Sequence, residues 1–256
     1  MNNVFNLRRF TQLFINHTVS SYRMYLMSFG VLIGVLLLVM IVMASGKNFA
    51  IPDGARQIYF SIFLFIGGAV FTTGIFSSLG DKRKAIAYLM LPSSNLEKLL
   101  VAWLYSFVIF QLLYFAGFYI VDMIILMMGK KEISHSTIMK FGSDFNYRTL
   151  LLSFAWLHSM AFFGALFFKK FHFVKTAFTV FVLILVIILL NKLSLNFMIG
   201  SNVEIGEPFG SLLIYEGEKS YYLKTSEMVG LVPYLTGCMS LLLWIGAYFK
   251  LKETEV

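Results

Sequence analysis

Six apolar runs, each long enough to cross a lipid bilayer, constrain the fold of this chain more than any other feature. A helix that crosses a hydrocarbon core of roughly 30 Å needs about 20 mostly apolar residues. The 256 residues include only 21 basic and 13 acidic side chains, too few to cover the remaining apolar surface in water. The sequence therefore predicts an all-α integral membrane protein with a single transmembrane domain, residues 1–256. The predicted spans are residues 24–44, 58–79, 99–128, 150–168, 174–190 and 229–249.

Two segments outside the spans are predicted to have structure of their own. Residues 3–23 combine apolar side chains at helical spacing with Arg8 and Arg9 on another face, which is typical of an amphipathic interfacial helix. Residues 191–228 form the largest segment outside lipid, and Ser211–Lys224 resembles a small β-hairpin that turns at Glu216–Lys219. A signal peptide cleaved near residues 42–44 is the alternative for the N-terminus, but the 21-residue run exceeds the usual 7–15.

Residues 80–98, between the second and third spans, form a charged elbow. Asp81 can cap a short amphipathic helix, and Pro92 ends that helix. Ser94 and Glu97 have the S-x-x-E spacing of a capping box, which starts a second helix immediately before the third span. We therefore expect a rigid connection at this elbow.

The basic residues predict the orientation of the spans. The termini, the elbow and residues 169–175 together carry 12 Lys or Arg and 4 Asp or Glu, whereas the rest of the chain carries 9 of each. Because cytoplasmic loops are enriched in basic residues, both termini and the elbow are predicted to be cytoplasmic and residues 191–228 external.

Polar side chains inside the spans are candidates for a substrate pathway. Gln111, Phe115, Phe118 and Asp122 share one stripe of the third span. For Asp122 a solvated or capping carboxylate at the outer end of an overlong helix is favoured, and a pathway role is the alternative. His158 is a further pathway candidate, although a hydrogen-bonded packing role is favoured because no acidic residue shares its span.

Gly30 and Gly34 in the first span form a G-x-x-x-G pattern, which allows two helix backbones to approach closely. Packing against another helix of the same chain is the favoured interpretation. A dimer face is the alternative.

Motifs for catalysis and cofactor binding are absent from the sequence. It has no phosphate-binding G-x-x-x-x-G-K-[ST] loop, no H-E-x-x-H or G-x-S-x-G motif, and a single cysteine, Cys238. The basic residues flank spans and form no stripe for nucleic acid. We expect no enzyme activity, no catalytic residues, no metal and no cofactor on this chain.

The segment LMLPSSNLEKLL, Leu89–Leu100, together with the predicted topology, resembles the ABC-2 type permeases (type V exporter fold), particularly members from Bacteroides-like bacteria. The resemblance implies that the elbow is a coupling helix docking on an ABC ATP-binding subunit, which would bind ATP and Mg²⁺. It also implies that two permease subunits form the path, as a homodimer or heterodimer, and that Arg8 and Arg9 belong to a connecting helix. The predicted hairpin departs from the pair of short re-entrant helices usual in the family. The implied docking residues are Lys82, Arg83, Lys84, Ile86, Tyr88 and Met90.

The expected function is therefore that of a permease subunit of an ATP-driven exporter in a bacterial cytoplasmic membrane. The 28 phenylalanines favour an amphipathic or lipid-like substrate. The alternative is a membrane scaffold or accessory subunit that anchors or regulates a partner without transporting anything.

Overall fold

The computed structural model describes residues 5–46, 51–76, 93–128, 147–168, 171–199, 202–205, 212–216, 219–223 and 226–253. Within these ranges six helices are long and apolar enough to cross a membrane, which confirms the predicted six-span membrane protein. The helices are α1 (Leu7–Ser45), α2 (Asp53–Ile75), α3 (Asn95–Met128), α4 (Tyr147–Phe167), α5 (His172–Ile199) and α6 (Ser226–Glu253). The strands are β1 (Asn202–Ile205), β2 (Leu212–Glu216) and β3 (Lys219–Leu223).

Helix α1 is continuous over 39 residues, about 58 Å at 1.5 Å per residue. The interfacial helix predicted over residues 3–23 is therefore not a separate element but the first part of α1. The physical reason is visible in the sequence, because no proline or glycine interrupts the chain between Leu7 and Phe29.

Two other helix boundaries differ from the prediction. Helix α5 continues to Ile199, beyond the predicted end at residue 190. Helix α6 begins at Ser226, so Pro233 lies about two turns inside it, whereas the sequence placed this proline in the first turn. Proline is tolerated inside a membrane helix because neighbouring groups can satisfy the freed backbone carbonyl.

The strands form a three-stranded antiparallel sheet in the order β1-β2-β3. Glu216 pairs with Lys219 at the turn between β2 and β3, so the predicted hairpin is confirmed with its turn position. The re-entrant helices usual in the ABC-2 type permeases do not occupy residues 202–205, 212–216 and 219–223, where the structure describes strands between α5 and α6.

The helices pack around two clusters of buried apolar side chains. One cluster lies between α1, α2, α3 and α4 and contains Phe60, Tyr114 and Phe118. The other contains Phe162 and Leu251, and the first turns of α1 pack against it. The beginning of α1, the beginning of α3 and the end of α6 therefore lie at one end of the bundle, which we call the terminal end.

The glycines that allow close helix contacts are not the predicted pair. Among the residues that the structure describes, a Cβ atom added at Gly30 or Gly34 would meet nothing within 4 Å, so these glycines make no close helix contact there. Gly164 of α4 instead lies directly against the Thr176 side chain of α5, where an added Cβ would collide with the threonine hydroxyl. The dimer face at Gly30 and Gly34 stays a prediction.

Candidate functional site

The capping box predicted at the end of the elbow is present at the start of α3. The Ser94 hydroxyl accepts a hydrogen bond from the Glu97 backbone N–H at 3.2 Å, and Glu97 Oε2 accepts one from the Ser94 N–H at 2.9 Å. Both residues are buried, and the Glu97 side chain is 0% exposed. This arrangement satisfies two backbone donors that the first turn of a helix would otherwise leave unpaired.

The same carboxylate also holds the beginning of α1. Glu97 Oε1 accepts a hydrogen bond from the Asn6 backbone N–H at 2.8 Å and one from Arg9 Nη2 at 3.3 Å. Asn6 in turn caps α1, because its side-chain oxygen accepts from the Arg8 N–H at 2.9 Å. A carboxylate is favoured where two helix N-termini meet, since both macrodipoles are positive there. Glu97 therefore joins the N-termini of α1 and α3, an arrangement that we call the Glu97 junction.

The two arginines predicted for the N-terminal helix have different surroundings. Arg9 contributes to the Glu97 junction, whereas Arg8 is exposed. The part of the elbow predicted to dock on a partner lies outside the described residues, and so do two of its capping residues. These residues are Asp81, Lys82, Arg83, Lys84, Ile86, Tyr88, Met90 and Pro92.

Contacts between α1 and α3 continue beyond the Glu97 junction. The Thr18 hydroxyl is hydrogen-bonded to the Tyr105 hydroxyl, and the Phe14 ring lies 5.0 Å from the Tyr105 ring between centroids. His17 Nε2 is 2.6 Å from the Tyr25 hydroxyl, and the His17 ring meets the Tyr105 ring edge-on at 4.8 Å. The first half of α1 therefore packs along the first three turns of α3, and the two helices run parallel.

Helix α3 contains a π-helical turn over Leu104–Ile109, and His158 of α4 contacts it. Trp244 Nε1 of α6 donates a hydrogen bond to His158 Nδ1 at 3.2 Å. Because an indole N–H can only donate, Nδ1 is the acceptor and the proton is on Nε2, which donates to the Ser106 hydroxyl at 2.8 Å. Ser106 donates to the Ala102 carbonyl at 2.8 Å.

These hydrogen bonds confirm the packing role favoured for His158. They link α3, α4 and α6 next to a π turn, an irregularity that is common at functional sites. The sequence offered no signal for the partners, because a serine and a tryptophan inside apolar spans are ordinary.

The stripe on α3 faces α2. Phe115 and Phe118 both contact the Phe60 ring, at centroid distances of 5.0 and 4.8 Å. Asp122 continues the stripe and accepts hydrogen bonds from Arg56 Nη1 at both of its oxygens, each at 3.0 Å. The Asp122 and Arg56 side chains are 0% and 1% exposed, respectively, so the favoured interpretation of Asp122 as a solvated carboxylate is wrong.

Arg56 was not among the site residues predicted from the sequence. The predicted second span began at residue 58, which left this arginine in the preceding link, whereas α2 begins at Asp53. Arg56 Nη2 also pairs with the Asp53 carboxylate, three residues earlier on the same helix. A signal was available, because an arginine and an aspartate at i and i−3 next to a predicted span suggest a charged first turn.

The side-chain amide of Gln111, another member of the predicted stripe, has different surroundings from the Asp122 carboxylate. It is half-buried, and among the described residues its buried Nε2 has no hydrogen-bond partner. An amide N–H without a partner in an apolar bundle is costly, so this group is suited to interacting with a polar part of a substrate.

Within the described ranges no group of three His, Cys, Asp or Glu side chains is placed to hold a metal ion. The described polar groups instead connect helices, and these connections include the Glu97 junction at the terminal end, the His158 hydrogen bonds beside the π turn, and the Arg56–Asp122 pair at the opposite end. No protein-family model matches the chain, and neither the curated proteins nor the solved structures that were compared with it include a match.

Proposed function

We propose that this protein is a permease subunit of an ATP-driven exporter of the ABC-2 type. The observation that supports this most is the Glu97 junction, in which one buried carboxylate joins the end of the elbow to the starts of α1 and α3. A push on the elbow from a partner ATPase would reach both helices together, because separating α1 from α3 would break the hydrogen bonds that Asn6 and Arg9 donate to Glu97.

The proposed motion separates one pair of helices from the rest. Helices α1 and α3 would move together, and α3 would bend at the π turn at Leu104–Ile109, so that the segment after the turn tilts. The stripe of Gln111, Phe115 and Phe118 would then separate from α2 and line a path. Because aromatic rings dominate this surface, we propose an amphipathic or lipid-like substrate.

Partners and orientation belong to the same proposal. The terminal end would face the cytoplasm of a bacterial cell, because the basic residues of the chain are concentrated in its segments. An ABC ATP-binding subunit carrying ATP and Mg²⁺ would dock on Lys82, Arg83 and Lys84 there. The G-x-x-x-G face of α1, whose glycines have no close neighbour in the described part of the chain, would receive a second permease subunit.

A non-transporting scaffold is the second candidate, and one observation favours it. Asp122 and His158, the ionisable pathway candidates, are 0% exposed and hydrogen-bonded to other helices. A scaffold needs such fixed connections and no path.

Co-purification tests the docking. K82E/R83E/K84E should lose the ATPase that co-purifies with the wild-type protein, since a basic surface becomes acidic. K130E/K131E/K140E changes the net charge equally in a loop predicted to lie on the opposite side, and should keep the ATPase. Equal retention by both variants would contradict the docking proposal.

A distance measurement separates the exporter from the scaffold. The exposed residues Val70 of α2 and Leu112 of α3 are each replaced with cysteine in a C238S background, and both cysteines are spin-labelled. Trapping the complex with ATP should change the distance between the labels if α3 moves. A complex that forms but shows the same distance with and without ATP would support the scaffold.

A further inference from the structure

The corner where α4, α5 and α6 meet at the terminal end carries an unusual backbone conformation. Four residues separate the end of α4 at Phe167 from the start of α5 at His172. Within this turn Phe171 has φ 54°, in the left-handed region that a bulky aromatic residue rarely adopts. Its ring is 74% exposed. The chain therefore maintains a strained conformation that leaves a large apolar ring without a protein neighbour over most of its surface.

Two lysines flank a pair of rings at the same corner. Lys175 Nζ lies 6.0 Å from the centroid of the Phe168 ring, and Lys250 Nζ lies 5.4 Å from the centroid of the Phe167 ring. The two rings themselves are 5.2 Å apart. Two ammonium groups from α5 and α6 are therefore held on aromatic faces around one short stretch of α4.

The charges near these lysines are mostly positive. Glu253 pairs with Lys250 at 2.8 Å but is itself 66% exposed, and Lys252 of the same helix is exposed. The exposed ring of Phe249 lies beside Lys250 in the sequence. Ammonium groups beside exposed aromatic rings at helix ends are typical of the boundary between lipid tails and headgroups.

We propose that the Lys175–Lys250 corner binds the headgroup of an anionic phospholipid. The two ammonium groups would contact the phosphate, and the acyl chains would lie along α5. The side chains of α5 suit such contacts, because only 6% of its most apolar stretch is buried within the protein. A free phosphate would gain nothing from the exposed rings, so a lipid is the ligand that fits the whole surface. This proposal does not depend on the exporter function.

The test compares lipid binding by two matched double variants. Purified full-length protein is titrated with fluorescent phosphatidylglycerol and phosphatidylcholine in detergent, with inorganic phosphate as a soluble competitor. Wild-type protein should prefer phosphatidylglycerol, and K175Q/K250Q should bind it about thirtyfold more weakly, given the usual contribution of each lysine near an anionic lipid. K192Q/K219Q removes the same charge elsewhere, since Lys192 lies near the other end of α5 and Lys219 lies in β3, and this variant should bind like wild type.

A third variant protects the test against a folding failure. E253Q releases Lys250 from its ion pair at an exposed position and should strengthen phosphatidylglycerol binding about threefold. Equal affinity of the wild type for both lipids would overturn the proposal, and so would an equal loss in the two double variants. Displacement of the lipid by inorganic phosphate would show that the site binds phosphate itself and not a lipid.

Discussion

Replacing Arg56 with methionine should destabilise the protein more than replacing its partner Asp122 with asparagine. The R56M change removes the guanidinium that donates to both Asp122 oxygens at 3.0 Å and leaves a carboxylate with no exposed surface. Breaking a buried pair in this way costs about 3–5 kcal/mol of unfolding free energy. D122N instead leaves Arg56 paired with Asp53, so we expect a cost of about 1–3 kcal/mol.

The double variant R56M/D122L provides the decisive comparison. With both charges replaced by apolar groups of similar volume, its unfolding free energy should return to within about 1 kcal/mol of the wild type. D53N is the control for a general charge effect, because this carboxylate is 63% exposed and should contribute only about 0–1 kcal/mol.

The assay is equilibrium unfolding in mixed micelles of dodecyl maltoside and sodium dodecyl sulfate, followed by far-ultraviolet circular dichroism. The four variants and the wild type are unfolded under identical conditions. If the double variant is no more stable than R56M, Arg56 and Asp122 do not depend on each other, and the interpretation of the pair as a connection between α2 and α3 is wrong.

Two further predictions concern contacts between the helices. G164L should lower the unfolding free energy by about 1–3 kcal/mol, because an added Cβ collides with the threonine of α5, whereas G34L should change it by less than about 0.5 kcal/mol, as nothing lies within 4 Å. S106A should cost about 1–3 kcal/mol in the same unfolding assay, because His158 Nε2–H loses its acceptor, and S159A, whose hydroxyl bonds only a carbonyl of its own helix among the described contacts, should cost less. Equal costs within either pair would contradict the assigned contacts.

Local patterns predicted the elements of this fold well. The apolar runs identified all six helices, the S-x-x-E spacing identified the start of α3, and alternation with a Glu-Gly-Glu-Lys turn identified the hairpin. These signals are contained within a few neighbouring residues, so no knowledge of the tertiary fold is needed to find them.

Connections between distant residues could not be predicted in the same way. Nothing near Glu97 in the sequence indicates that it binds Asn6 and Arg9, about 90 residues away. Arg56 was missed because the predicted span began at residue 58, two residues after it, whereas α2 begins at Asp53, and its partner Asp122 then lacked a visible counterion. Side-chain pairing across helices depends on how the helices rotate about their axes, which the hydropathy of a run does not determine.

The π turn at Leu104–Ile109 determines how far the first part of α3 is rotated about the helix axis relative to the second part. Each residue of an α-helix advances about 100° around the axis, and the π turn holds one residue more than a regular turn, so winding the same residues as a continuous α-helix would rotate the preceding segment by roughly that angle. Glu97 would then point away from α1 while Asp122 still faced Arg56. The surplus residue thus allows one helix to present a carboxylate to two different neighbours, and an uninterrupted helix of regular pitch could not align both.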